Sequence, residues 1–154
     1  MAQALVPQAL QPTLLAGKCW ALLGRKDFAE RIFERAHREA SAPDEVAVAL
    51  GSLYQKLRDE NAALAWNAKV TIPSIREIQK GELLQNFGRW TEAIVAGEES
   101  IRLDPKNADA YTVLGFNLVQ QGKADPAKAD RAKEVLLKGL KVAPEDARLL
   151  RTAG

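Results

Sequence analysis

The chain has 154 residues, 47% of them apolar and 27% charged, with 22 basic against 20 acidic side chains. That length and apolar share suit a self-sufficient fold and exclude disordered and collagen-like chains, while a net charge of +2 lacks the broad basic field of a dedicated nucleic-acid or anionic-membrane binder. One Cys and one His make neither an internal disulfide nor a four-ligand zinc site, no apolar run approaches the roughly twenty residues that span a bilayer, and the opening MAQALVPQALQP has no basic segment ahead of an apolar one.

In chain order, Ala4-Leu5-Val6 reads as the end of a helix stopped at Pro7. LQPTLLAGKCWALLG is then a first helix closed at Gly24, and ERIFERAHRE continues as an amphipathic second helix. Its Glu34–Arg38 and Arg35–Glu39 pairs, four residues apart, contribute only tenths of a kcal/mol each. Pro43 and Pro73 mark the boundaries of the next helix pair. A helix through Gly81 ends at Gly88, and WTEAIVAGEESIRL runs at helical spacing to the stop at Asp104-Pro105. DAYTVLGFNLVQQG repeats the first helix, a further helix ends at Pro144, and EDARLLRTAG opens another.

These elements recur in phase. Gly17 and Gly51 are 34 residues apart, as are Gly81 and Gly115. Three residues after each stands a large apolar side chain, Trp20, Tyr54, Leu84 or Leu118, and seven after each a turn residue, Gly24, Arg58, Gly88 or Gly122. Ala29, Ala63 and Ala93 follow at twelve. Small residues at fixed places let helix axes approach, and large ones fill the gaps between them, so each period predicts a pair of antiparallel helices.

The third copy, SIREIQKGELLQNFGRWTEAIVAGEESIRLDPKN, and the opening of the fourth, with Tyr111, Leu114, Gly115 and Leu118 at the marked places, resemble the tetratricopeptide repeat. The first copy matches through Gly17, Trp20, Ala29, Phe33 and Ala36. The expected fold is all-α, a right-handed α-solenoid of stacked helix pairs in one domain over 1–154. Its repeats fall at 10–43, 44–73, 74–107 and 108–146, with partial repeats at both ends, as in a stretch of a longer array. The second repeat is short, so the turn near Val70-Thr71-Ile72-Pro73 must be tight. The fourth is long, and its extra residues are expected in the turn KADPAKAD, with Pro126 either there or in the first helical turn. At the C-terminal end Leu149 and Leu150 are expected to cover part of the last helix.

The resemblance implies a concave groove lined by first helices that takes an extended segment or helix of a partner. Its offsets from the marked glycines select Leu14, Lys18, Val48, Ser52, Gln55, Ile78, Glu82, Gln85, Thr112, Phe116 and Val119. Leu15, Ala49, Gln79 and Val113 stand where carboxylate-clamping and asparagine-ladder members carry asparagine, so neither specialisation is expected. Glu82, Glu45 and Asp109 beside an apolar track suggest a partner with apolar anchors and a basic residue.

No chemistry competes with this reading. The chain has no phosphate-cradling loop, dinucleotide fingerprint or serine elbow. Cys19 and His37 are the one thiol–imidazole pair, but Cys19 takes a place usual for a small core residue. Trp20, Trp66 and Trp90 are expected in the core. The chain is therefore read as a non-enzymatic scaffold with no cofactor or metal, no nucleic-acid partner and no direct membrane insertion. Alternatives are the regulatory or substrate-docking region of an enzyme whose catalytic domain lies elsewhere, or self-association through the solenoid ends. The cytoplasm is favoured, with the periplasm open.

Overall fold

The computed structural model describes residues 11–154, which form nine helices and no strand. Ala4 to Pro7 lie outside the described residues. The chain divides into two compact units, 1–72 and 73–154.

In the first unit α1 (Gln11–Leu22) packs on α2 (Lys26–Glu39), and α3 (Pro43–Lys56) on α4 (Glu60–Ala68). The spaced apolar residues converge as the core: Ala29, Phe33 and Ala36 of α2, Val46, Ala47, Leu50 and Tyr54 of α3, Ala63 and Trp66 of α4. A Cβ at Gly17 would run into the Phe33 ring, so glycine there is a matter of helix contact. Phe33 meets Tyr54 edge-on at 5.9 Å, and the Tyr54 hydroxyl donates to Glu30. Pro43 and Pro73 each open a helix rather than closing the one before, because the first helical turn needs no proline N–H.

The shortness of the second repeat lies in α4, which has 9 residues where α2 and α3 have 14. The turn behind it is closed by Asp44. Its carboxylate accepts from Thr71 N (2.8 Å), Ile72 N (3.0 Å) and Thr71 Oγ1 (2.8 Å). Burial pushes the Asp44 carboxyl up, but these donors outweigh it and hold it below its usual range.

The second unit comprises α5 (Pro73–Asn86), α6 (Trp90–Leu103), α7 (Ala108–Gly122), α8 (Pro126–Val142) and α9 (Ala147–Ala153). Ile94 of α6, Tyr111, Leu114 and Leu118 of α7, Ala132, Val135 and Leu136 of α8, and Leu149 of α9 share one apolar cluster. Asn107, Asp125 and Asp146 cap α7, α8 and α9, each accepting from backbone N–H groups of the first turn.

Three expectations change. The extra residues of the fourth repeat are mostly helical: α8 has 17 residues against 14 in α6, and only Lys123-Ala124-Asp125 separate it from α7. Pro126 sits in its first turn, and the Asp125 cap starts the helix early. The four turn residues also split. Gly24, Gly88 and Arg58 have φ of 77°, 76° and 60°, the left-handed geometry that ends a helix. Gly122 instead lies within α7, where a Cβ would sit 2.9 Å from the backbone of Ala129 in α8. Finally, Trp66 is buried and Trp90 half-buried, but Trp20 and Cys19 are exposed. Tyr54 is covered by Phe33 of α2, and Leu118 shares a cluster with Ile94 of α6. Among the described residues no helix precedes α1 to cover Trp20 in the same way.

Candidate functional site

A concavity lined by several of the predicted groove residues lies in the second unit, between α7 and α9. It holds about 460 Å³ and is lined by Gln85 of α5, by Thr112, Val113, Phe116, Val119 and Gln120 of α7, and by Arg148, Arg151 and Thr152 of α9.

The wall is built by α9, whose seven residues are too few to hold a helix unaided. Two tertiary anchors seat it. Leu149 is fully buried against Gly139 of α8, and the Asp146 carboxylate accepts from Arg148 N and Leu149 N, both at 2.9 Å. The next place along, Leu150, is exposed, because it turns away from α8 once Leu149 has taken the core.

Arg148 then reaches across the first helices. Its guanidinium donates to Asp109 Oδ1 of α7 at 2.8 Å and to Glu82 Oε1 of α5 at 3.2 Å. Burial raises the Glu82 carboxyl above its usual range, more than Arg148 pulls it down, with Asp109 raising it further. Two of the three acidic residues expected to receive a partner's basic side chain, Glu82 and Asp109, are thus engaged by a cation of the chain itself, and Glu45 belongs to the first unit. Arg148 is missed by reasoning over four repeats, yet it occupies in the fifth register the place of Asp109 in the fourth, 39 residues earlier.

Beneath the cleft, Asn117 Nδ2 donates to Val113 O at 2.7 Å and Gln85 Oε1 at 3.2 Å, while its buried Oδ1 has no partner. Thr112, which lines the cleft, donates its hydroxyl to Ala108 O at 3.2 Å. Ile78 is buried with Ala110 and Val113 rather than lining the cleft. Of the first-unit candidates, Leu14, Val48, Ser52 and Gln55 are half-buried and Lys18 is exposed.

Among the described residues no group of three or more His, Cys, Asp or Glu side chains could hold a metal ion, and no helix is long and apolar enough to cross a membrane. Cys19 is exposed on α1, whereas His37 of α2 packs edge-on against Trp66 at 5.6 Å.

Antiparallel helix pairs in register, small residues at the crossings and a cleft on the first helices define the all-α fold of tetratricopeptide-repeat proteins. Solved structures bear this out. YrrB, described as a tetratricopeptide-repeat protein with an unusual peptide-binding site, superposes with a TM-score of 0.61 at 23% identity, over 88% of this chain and 70% of its own. A structure of MamA superposes at 0.63 and 23% identity, over 89% of this chain and 80% of its own. No protein-family profile and no curated protein sequence matches the chain.

Proposed function

We propose that the chain is a protein-interaction scaffold that holds a peptide or helix of its partner on the first helices, with the α7–α9 cleft as the main contact. The observation that carries this reading is the convergence of Gln85, Thr112, Phe116 and Val119, which the repeat-family resemblance had placed on the groove, on one cleft of about 460 Å³. Apolar side chains with a few polar groups beside them suit an apolar anchor whose backbone is met by amides. Gln85 and Gln120 supply those amides. The description of YrrB as peptide-binding supports the same use of the fold.

The charge of the expected partner is revised. Arg148 engages both Glu82 and Asp109 and offsets one of their two negative charges, and the charged residues that line the cleft are Arg148 and, on the next turn of α9, the exposed Arg151. The segment that fits carries an apolar anchor and an acidic neighbour. Val48, Ser52 and Gln55 on α3 are a separate, secondary stretch for contact.

The test is selection of displayed random peptides on the immobilised chain, followed by titration of the enriched peptides against Phe116→Ala and Arg151→Gln. Phe116→Ala is expected to weaken binding roughly tenfold or more, the effect of an anchor lost from a pocket. Enriched peptides that bind Phe116→Ala as tightly as the parent would sink the proposal.

A further inference from the structure

The repeats allow the surface to be compared place by place, and the first copy departs from the others at one corner. Five residues after the marked glycine stand Lys56, Asn86 and Gln120 in later copies, all polar, but Leu22 in the first. Eleven after it stand Ala62 and Glu92 in the second and third copies, but Phe28 in the first. Beside them Leu57 and Phe87 are half-buried, whereas Leu23, at the same place, is 72% exposed. Leu22 is 63% exposed. Trp20 stacks on Phe28 with ring centroids 5.3 Å apart, and both remain open to solvent. Four large apolar side chains thus rise around one turn, at two places where later copies carry polar or small residues.

Charge surrounds them. From Gly17 to Arg31 the chain carries Lys18, Arg25, Lys26 and Arg31 against Asp27 and Glu30. Glu30 is turned inward to accept from the Tyr54 hydroxyl. The Arg25 guanidinium lies 4.2 Å above the Phe28 ring and 3.5 Å from Asp27, and Lys26 reaches Asp59 at 3.0 Å. With Asp59 counted, the corner carries four cations against three carboxylates, a slight basic excess on a chain close to neutral.

We propose that the α1–α2 turn docks on an anionic lipid bilayer. Trp20, Leu22, Leu23 and Phe28 enter the boundary between headgroups and acyl chains, and Lys18, Arg25 and Lys26 meet the lipid phosphates and carboxylates. An indole and a phenyl ring with leucines at a turn, edged by cations, are the side chains that partition to a membrane interface. Each Lys or Arg beside an anionic surface strengthens attachment by roughly fivefold, and the attraction fades within a Debye length. A second copy fits less well, since two such turns face to face bring like charges together. The docking is peripheral and leaves the α7–α9 cleft uninvolved.

The experiment uses the full chain with its sole cysteine, Cys19, carrying an environment-sensitive fluorophore. It is mixed with phosphatidylcholine vesicles with and without about 30% phosphatidylserine. The expected results are a blue shift and cosedimentation with the anionic vesicles, roughly tenfold stronger than with neutral ones, and loss of both in about 0.5 M salt. Unlabelled Leu22→Ser/Leu23→Ser is expected to lose cosedimentation by roughly tenfold at unchanged helicity, Lys18→Gln/Arg25→Gln to lose the lipid preference, and Phe116→Ala to bind as the parent does. Failure of the parent to sediment with anionic vesicles overturns the proposal, as does undiminished binding by the serine variant. A concentration-dependent dimer that the serine variant abolishes would assign the turn to a second copy instead. Peptide binding in the cleft is read separately, through Phe116.

Discussion

Replacing Arg148 by Ala removes two charge-assisted hydrogen bonds, at 2.8 Å and 3.2 Å, from carboxylates on two other helices. A hydrogen bond to a charged group contributes about 1.5–3 kcal/mol when shielded. The Arg148 and Glu82 side chains are 29% and 21% exposed, which keeps most of that value, whereas Asp109 at 37% is discounted for solvent screening. The expected loss is about 2 kcal/mol at about pH 7.

The loss depends on pH in a defined direction. The folded Glu82 carboxyl already titrates above its ordinary value because of burial, and removing Arg148 raises it further. A carboxyl raised in the folded state contributes its full stability below the unfolded value of 4.5 and loses it as pH rises through the folded one. The deficit of Arg148→Ala should therefore shrink to under about 1 kcal/mol near pH 4, where Glu82 holds a proton and no longer needs its partner. Urea unfolding followed by helicity at both pH values measures it, and amide exchange along α9 localises it. Arg148→Lys, which keeps charge without the two-pronged geometry, should fall between. A loss below about 0.5 kcal/mol, or an equal loss at both pH values, would refute this account of how α9 is held.

Trp66→Ala should cost about 3–5 kcal/mol in urea unfolding, whereas Trp20→Ala should cost less than about 1 kcal/mol; equal costs would contradict the burial of one and exposure of the other. Burial and Lys69 lower the His37 titration while Asp44 opposes them, so stability of the first unit is present above the ordinary value of 6.5 and is lost as pH falls through the lowered one. His37→Phe should flatten that acid slope, and a slope left unchanged rules His37 out as its source. Arg58 holds a φ of 60° where two repeats use glycine, so Arg58→Gly should stabilise by about 0.5–1 kcal/mol and Gly88→Ala destabilise by about 1 kcal/mol in thermal melts.

How much of this was legible in one dimension is clearest at particular residues. The glycine period foretold helix pairs because close helix crossings exclude a Cβ. Gly17 against Phe33 and Gly81, where a Cβ would lie 2.6 Å from Val113 Cγ1, obey that rule. Gly24 and Gly88 were likewise readable as turns. Gly122 shares their place in the repeat but not their reason, since only the approach of α8 distinguishes a left-handed turn from a crowded helix end.

The candidate site divides in the same way. The resemblance to the repeat family selected Gln85, Thr112, Phe116 and Val119 through its groove offsets, and these four line one cleft. It could not foresee Arg148 crossing to Glu82 and Asp109, an ion pair between residues up to 66 positions apart, nor that the charged residues lining the cleft would be Arg148 and Arg151. It also assigned Trp20 to the core, as a residue at the signature packing place, whereas Trp20 is exposed. Period and helix type follow from spacing along the chain, a local property of the backbone. The exposure and charge of a side chain depend on which helix lies beside it, and at α1 and α9 only the folded structure shows whether one does.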